Sequence, residues 1–208
     1  MWKYILFGAS LAFTAALQPG PLQAFFLAKV SQVGWRRTLP AAFAPLVSDG
    51  PIALITLLLI QRIPPIIEDW LRLAGGLLLL YYAWQTFHSW RSPDPQREES
   101  TSSAPETVFQ AGLINLLNPN PYLGWALIMG PTLLEAWAAR PRYALGLLAV
   151  FYLVMISVSM ILIFLMGTSR FLSSDGRRTL LLISSLILAG LGLYYLISAG
   201  QGLLLIVG

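Results

Sequence analysis

The chain has 208 residues, 57% of them hydrophobic and 11% charged, with a net charge of +4 at pH 7 and a pI near 9.6. A soluble domain carries about 25% charged residues, so this balance, with a mean hydropathy of +0.71, excludes an ordinary water-soluble globule and predicts an all-α integral membrane protein. The absence of cysteine and the single histidine, His88, exclude disulfides, thiolate chemistry and a His-rich metal site, and the excess of Lys and Arg reads as a record of topology rather than a nucleic-acid surface.

A bilayer crossing needs about 20 apolar residues. Six stretches qualify, at roughly 4–28, 38–60, 66–88, 107–134, 142–167 and 179–206. The first is interrupted in its middle by Leu17-Gln18-Pro19-Gly20-Pro21-Leu22-Gln23. Each proline removes a backbone N–H and crowds the preceding turn. In lipid the freed groups are costly, so such a break belongs in the bundle interior or beside a watery cavity. A half-helix starting near Pro21 would aim unpaired N–H groups and a positive dipole end into the membrane. Lys3, the apolar run and Thr14-Ala15-Ala16 also look like a signal peptide, a reading that the internal repeat described below argues against.

The second stretch holds Asp49, the only acid well inside any predicted span. Inserting it costs at least roughly 2.5–3.5 kcal/mol, so it should face the interior and have a partner. Ala41, Pro45, Asp49 and Ala53 form a small-residue face suited to close approach by helix one or helix four. Such a carboxylate suits a substrate ammonium or a transported proton.

Residues 89–106, rich in Ser, Pro and charge, read as a linker. They divide the chain into two three-helix parts, 1–88 and 107–208, within one membrane domain. The fourth stretch carries Gln110 and Asn115, then Leu117-Asn118-Pro119-Asn120-Pro121, with a half-helix expected to start near Pro121. Tyr81, Tyr82, Tyr194, Tyr195 and the tryptophans read as belt or packing residues. Glu135, Arg140 and Arg142 read as loop charges, Arg36-Arg37 and Arg177-Arg178 as topology signals, and His88 has no assigned role.

The first and fourth stretches share the order Leu, amide, Pro, a small or polar residue, Pro. Leu73-Ala74-Gly75 with Tyr81-Tyr82 in the third stretch matches Leu188-Ala189-Gly190 with Tyr194-Tyr195 in the sixth. Three helices is an odd number, so successive copies lie upside down relative to each other, the inverted-repeat arrangement used by secondary transporters. Two half-helix N-termini would then face one another across a site for an anion such as a carboxylate. With six spans, eight of the basic residues fall on one side (Lys29, Arg36, Arg37, Arg91, Arg97, Arg170, Arg177 and Arg178) and five on the other (Lys3, Arg62, Arg72, Arg140 and Arg142). The positive-inside rule places the linker in the cytoplasm and both termini outside it.

The motifs resemble those of the LysE/RhtB family of amino-acid exporters: Pro19-Gly20-Pro21 in the first helix, Gly34-Trp35-Arg36-Arg37 before a span with Asp49, and Asn115-Leu116-Leu117-Asn118-Pro119 in the fourth. Leu22, Pro40, Pro45 and Asn120-Pro121 depart from the family's usual pattern. The resemblance implies proton-driven export of amino acids or similar metabolites across a bacterial cytoplasmic membrane. The partners expected are a small-molecule substrate, protons and the lipid bilayer, with no cofactor, metal or nucleic acid; a homo-oligomer is compatible with this. The substrate-binding set is Gln18, Pro19, Gly20, Pro21, Asp49, Asn115, Asn118, Pro119, Asn120 and Pro121, with Asp49 coupling protons. The alternatives are export of a metal cation or organic ion on the same scaffold, or a non-transport membrane structural protein; an intramembrane enzyme, which would need a nucleophile and base or metal ligands, is disfavoured by the absence of cysteine, the single interfacial histidine and the one buried acid.

Overall fold

The computed structural model describes residues 1–58, 65–91, 103–168 and 174–207. These form α1 (Trp2–Leu17), α2 (Pro21–Val33), α3 (Trp35–Thr38), a 3₁₀ segment (Leu39–Phe43), α4 (Ala44–Leu58), α5 (Pro65–Arg91), α6 (Ala104–Leu116), α7 (Pro119–Gly124), a π segment (Trp125–Met129), α8 (Gly130–Ala139), α9 (Pro141–Thr168) and α10 (Ser174–Val207). The described residues are all helix and turn, with no strand.

Among them, Trp35–Thr56, Pro141–Thr168 and Arg178–Gly202 are long and apolar enough to cross a membrane. The α1–α2 pair, bent by 58° at the first break, makes a fourth crossing if taken as one span. That is three or four rather than six. The third predicted stretch falls short because α5 carries Glu68, Asp69 and Arg72 near its start and Gln85 and His88 near its end. The fourth falls short because residues 104–139 are cut into shorter pieces. Most of the expected linker, 92–102, lies outside the described residues, as do Arg62, Arg97, Arg170 and the end of the second stretch. The linker's two ends are helical: α5 runs on to Arg91, and Ser103 caps α6 by accepting from the Glu106 N–H at 3.3 Å.

Proline and glycine punctuate the chain where helices must change direction. Pro21, Pro119 and Pro141 each open a helix, a position where the missing N–H would have been unpaired in any case. Gly34 ends α2 at φ 82°, a left-handed conformation that favours glycine. It turns the chain into α3, whose Trp35 packs against Gly167 of α9 and stacks edge-on with Phe164 at 5.2 Å.

The most extensive packing joins α5 and α10, which run antiparallel: Asp69 lies against Gly202, Gly76 against Gly192, and Arg178 over the Trp90 ring. The Gly76–Gly192 crossing is reciprocal. A Cβ at Gly76 would sit 2.9 Å from the Gly192 carbonyl oxygen and 3.0 Å from the Leu196 side chain; one at Gly192 would sit 3.0 Å from both the Gly76 oxygen and the Leu80 side chain. This pairing differs by register from the Leu-Ala-Gly match seen in sequence. Asp69 is also buried, at 4% exposure, beside Arg72 at 3.3 Å. Asp49 is therefore not the only acid in the interior.

Two apolar clusters flank the middle of the bundle. One includes Leu22, Phe25, Phe26, Tyr82, Ala111, Ile114 and Ile163. The other includes Tyr4, Ala12, Ile52, Tyr122, Trp125, Met129, Leu147 and Phe151.

Candidate functional site

The first break begins where α1 stops at Leu17 and ends where α2 starts at Pro21. Gly20 serves as N-cap without a side-chain bond. The Gln23 side-chain amide reaches back across the break and donates to the Ala16 carbonyl oxygen at 2.9 Å. The second break differs in register from the sequence expectation: the half-helix starts at Pro119, not near Pro121. Asn118 is its N-cap, and its Oδ1 accepts from the Asn120 N–H at 3.0 Å and from the Tyr195 hydroxyl at 2.9 Å. The Tyr122 hydroxyl donates to the Leu116 carbonyl oxygen at 2.9 Å. In both places a side chain from the new half-helix pairs a carbonyl that the break releases, as buried backbone requires.

Both breaks open onto one cavity of about 310 Å³ between the two apolar clusters. Gln18, Pro19 and Gly20 line it from the first break, Asn118, Asn120 and Pro121 from the second, and Asp49 and Asn115 complete the expected set. Pro21 and Pro119 are the exceptions. They open the half-helices behind the wall, and Pro21 lies in a separate narrow gap with Gly75, Leu117 and Tyr195.

Asp49 is 4% exposed. Asn115 Nδ2 donates to Asp49 Oδ1 at 3.1 Å and to Ser48 Oγ at 2.7 Å, tying α4 to α6. The indole of Trp125 and the hydroxyl of Tyr152 lie close to the Asp49 carboxylate. α4 packs on α6, with Ser48 and Asp49 meeting Asn115 there. The rest of the wall is largely apolar, with Phe151, Met155 and Ile128 beside the hydroxyl of Ser159, itself 2% exposed.

The structure thus gathers donors and one carboxylate in an otherwise apolar chamber, the composition of a small-molecule site. The profile of the LysE type translocator family matches residues 13–199. The chain belongs to that family. It is a membrane exporter of small solutes, as the family is. Among curated proteins and among solved structures, nothing matches the chain.

Several polar residues of this LysE type translocator were not singled out by its sequence. Trp125 and Tyr195 read as belt or packing aromatics and Tyr152 drew no reading, yet Trp125 and Tyr152 lie close to Asp49 and the Tyr195 hydroxyl bonds Asn118. The available signal is general: a buried Tyr or Trp usually finds a partner for its hydroxyl or N–H. Lys29, counted as a topology charge, is 8% exposed and donates to Gln110 Oε1 at 3.0 Å. Glu135 is not a loop charge; it lies within α8 and pairs with Lys3 at 2.7 Å.

Proposed function

We propose that the protein exports amino acids or similar small zwitterionic metabolites by proton antiport. It does so through two inverted three-helix repeats, 1–88 and 107–208, joined by a cytoplasmic linker. The observation that carries this reading is the shared cavity, in which Asp49 and the starts of two half-helices meet. A zwitterion presents one anion and one cation. The half-helix start at Gly20, with the side-chain amides of Gln18, Asn118 and Asn120, suits its carboxylate; the start at Asn118 offers no free N–H, since Pro119 and Pro121 carry none and Asn118 Oδ1 holds that of Asn120. Asp49 suits its ammonium, or the proton that replaces it. Asn115 holds Asp49 in place; Pro19 and Pro121 shape the wall, while Pro21 and Pro119 set the start of each half-helix. The reciprocal Gly76–Gly192 crossing supports the inverted repeat, since a two-fold relation between the third helix of each half would produce it.

The test is flux of labelled amino acids in proteoliposomes under an imposed pH gradient, comparing wild type with Asp49→Asn. Gradient-dependent flux of at least one amino acid, lost in Asp49→Asn, is the expected result. Flux that survives Asp49→Asn unchanged removes Asp49 from coupling. No flux from folded wild type removes the amino-acid substrate class.

A further inference from the structure

The two broken helices are tied to each other twice, once at each end of the bundle. At one end Lys3 of α1 donates to Glu135 Oε1 of α8 at 2.7 Å, and the Tyr4 hydroxyl donates to the same oxygen at 3.2 Å. At the other end Lys29 of α2 donates to Gln110 Oε1 of α6 at 3.0 Å, and Gln110 Nε2 donates to Glu106 Oε1 at 3.0 Å. Each tie runs from a lysine of the first broken helix to the second broken helix, and each ends on a glutamate. The cavity lies between them. Tyr4, Trp125 and Phe151 pack on the Lys3 side of it; Leu22, Phe25 and Ile114 pack on the Lys29 side.

The ties differ in kind. The Lys3 and Glu135 side chains are 67% and 60% exposed, so water competes for both and the pair is weakly held. Lys29 is 8% exposed. A buried ammonium needs its hydrogen-bond partners, so a motion that parts α2 from α6 costs Lys29 its bond to Gln110.

We propose that these ties are the two gates of the cavity, Lys3–Glu135 at one end and Lys29–Gln110–Glu106 at the other, and that they open one at a time. Both ties are formed in this structure. The proposal rests on the transport reading, because a gate requires a solute path. It adds the residues that control access to that path. The exposed tie is the lighter gate, and the tie that holds the buried Lys29 ammonium sets the larger barrier.

The absence of cysteine from the chain makes a clean accessibility test available. Ser159→Cys places a thiol on the cavity wall. A charged, membrane-impermeant thiol reagent is then applied to right-side-out and to inside-out membrane vesicles. Adding Glu135→Gln is expected to raise labelling roughly two- to five-fold from the Lys3 face alone. Adding Gln110→Ala is expected to raise it roughly ten-fold from the Lys29 face alone. The charge swap of Lys3→Glu with Glu135→Lys returns labelling to the parent level. If Gln110→Ala lowers the yield of folded protein, Glu106→Gln replaces it, with a smaller rise from the same face. Equal rises from both faces would mean that the ties merely stiffen the bundle, and unchanged labelling in every variant would mean that they gate nothing; either result overturns the proposal. Labelling needs no knowledge of the solute. One-sided labelling without amino-acid flux would retain the gates and remove the substrate class, and amino-acid flux without one-sided labelling would do the reverse.

Discussion

At Gln18–Gly20 the chain turns in the open: Gln18 and Pro19 are exposed, the cap is a bare glycine, and one side-chain bond, from Gln23, spans the gap. At Asn118 the chain turns inside the protein. Asn118 is 8% exposed, its Oδ1 holds both the Asn120 N–H and the Tyr195 hydroxyl, and Tyr122 closes the released carbonyl. α5 adds to this by bringing Gly75 against the Leu117 carbonyl. The same covalent device, a proline that denies a helix its next N–H, is therefore anchored on one side of the cavity and lightly held on the other. A proline specifies that a break occurs; the neighbours decide how firmly it is fixed.

The sharpest way to break this contrast is at Gly75. A Cβ there would sit 2.6 Å from the Leu117 carbonyl oxygen, a backbone atom that cannot swing aside. Gly75→Val is expected to destabilise the folded protein by about 1–3 kcal/mol through overpacking. A lowered thermal midpoint in detergent would show it, and an unchanged midpoint would mean that the second break is not clamped by α5. The next effect down comes from the amides. Asn118→Ala removes a cap and leaves the Tyr195 hydroxyl without its acceptor, for about 1–2 kcal/mol. Gln18→Ala, at an exposed position, is expected to stay within about 0.5 kcal/mol of wild type. Equal losses in the two alanine variants, read from the same melts, would erase the distinction between anchored and loose breaks.

The parts legible in advance were those whose physics is local. A Pro-x-Pro inside an apolar run has to break a helix, and an aspartate inside one has to face inward. Gln18, Asp49, Asn115 and Asn118 were accordingly found as a set, and they line one cavity. What escaped depends on distance along the chain. The second half-helix starts at Pro119 because Asn118, not Asn120, has both an N–H to cap and a tyrosine from α10 to bind. Lys29 looked like a surface charge because its burial is imposed by α6, some eighty residues away, through Gln110. Trp125 and Tyr152 come from two different helices and converge on Asp49 only after folding. The π segment at Trp125–Met129 has no composition signature at all.

The smallest expected effect is the most discriminating. Gly20 has φ −175° and ψ −172°, extended backbone that any residue adopts, and a Cβ there would meet only Gln23 Oε1 at 3.6 Å and the Gln18 carbonyl oxygen at 3.9 Å, both ordinary contacts. Gly20→Ala restricts the unfolded chain, which stabilises by about 0.4–1 kcal/mol. It also replaces a tolerated N-cap by a poor one, which costs a comparable few tenths or more. The two terms oppose each other, so the thermal midpoint should barely move, within about 0.5 kcal/mol of wild type. Gly20 nevertheless lines the cavity, so the added methyl narrows the chamber beside the end of α2. Stability unchanged with flux reduced would place the first break in the solute's path. A fall in stability matching that of Asn118→Ala would instead mean that the first break is held as firmly as the second, by contacts that its exposed surface does not reveal.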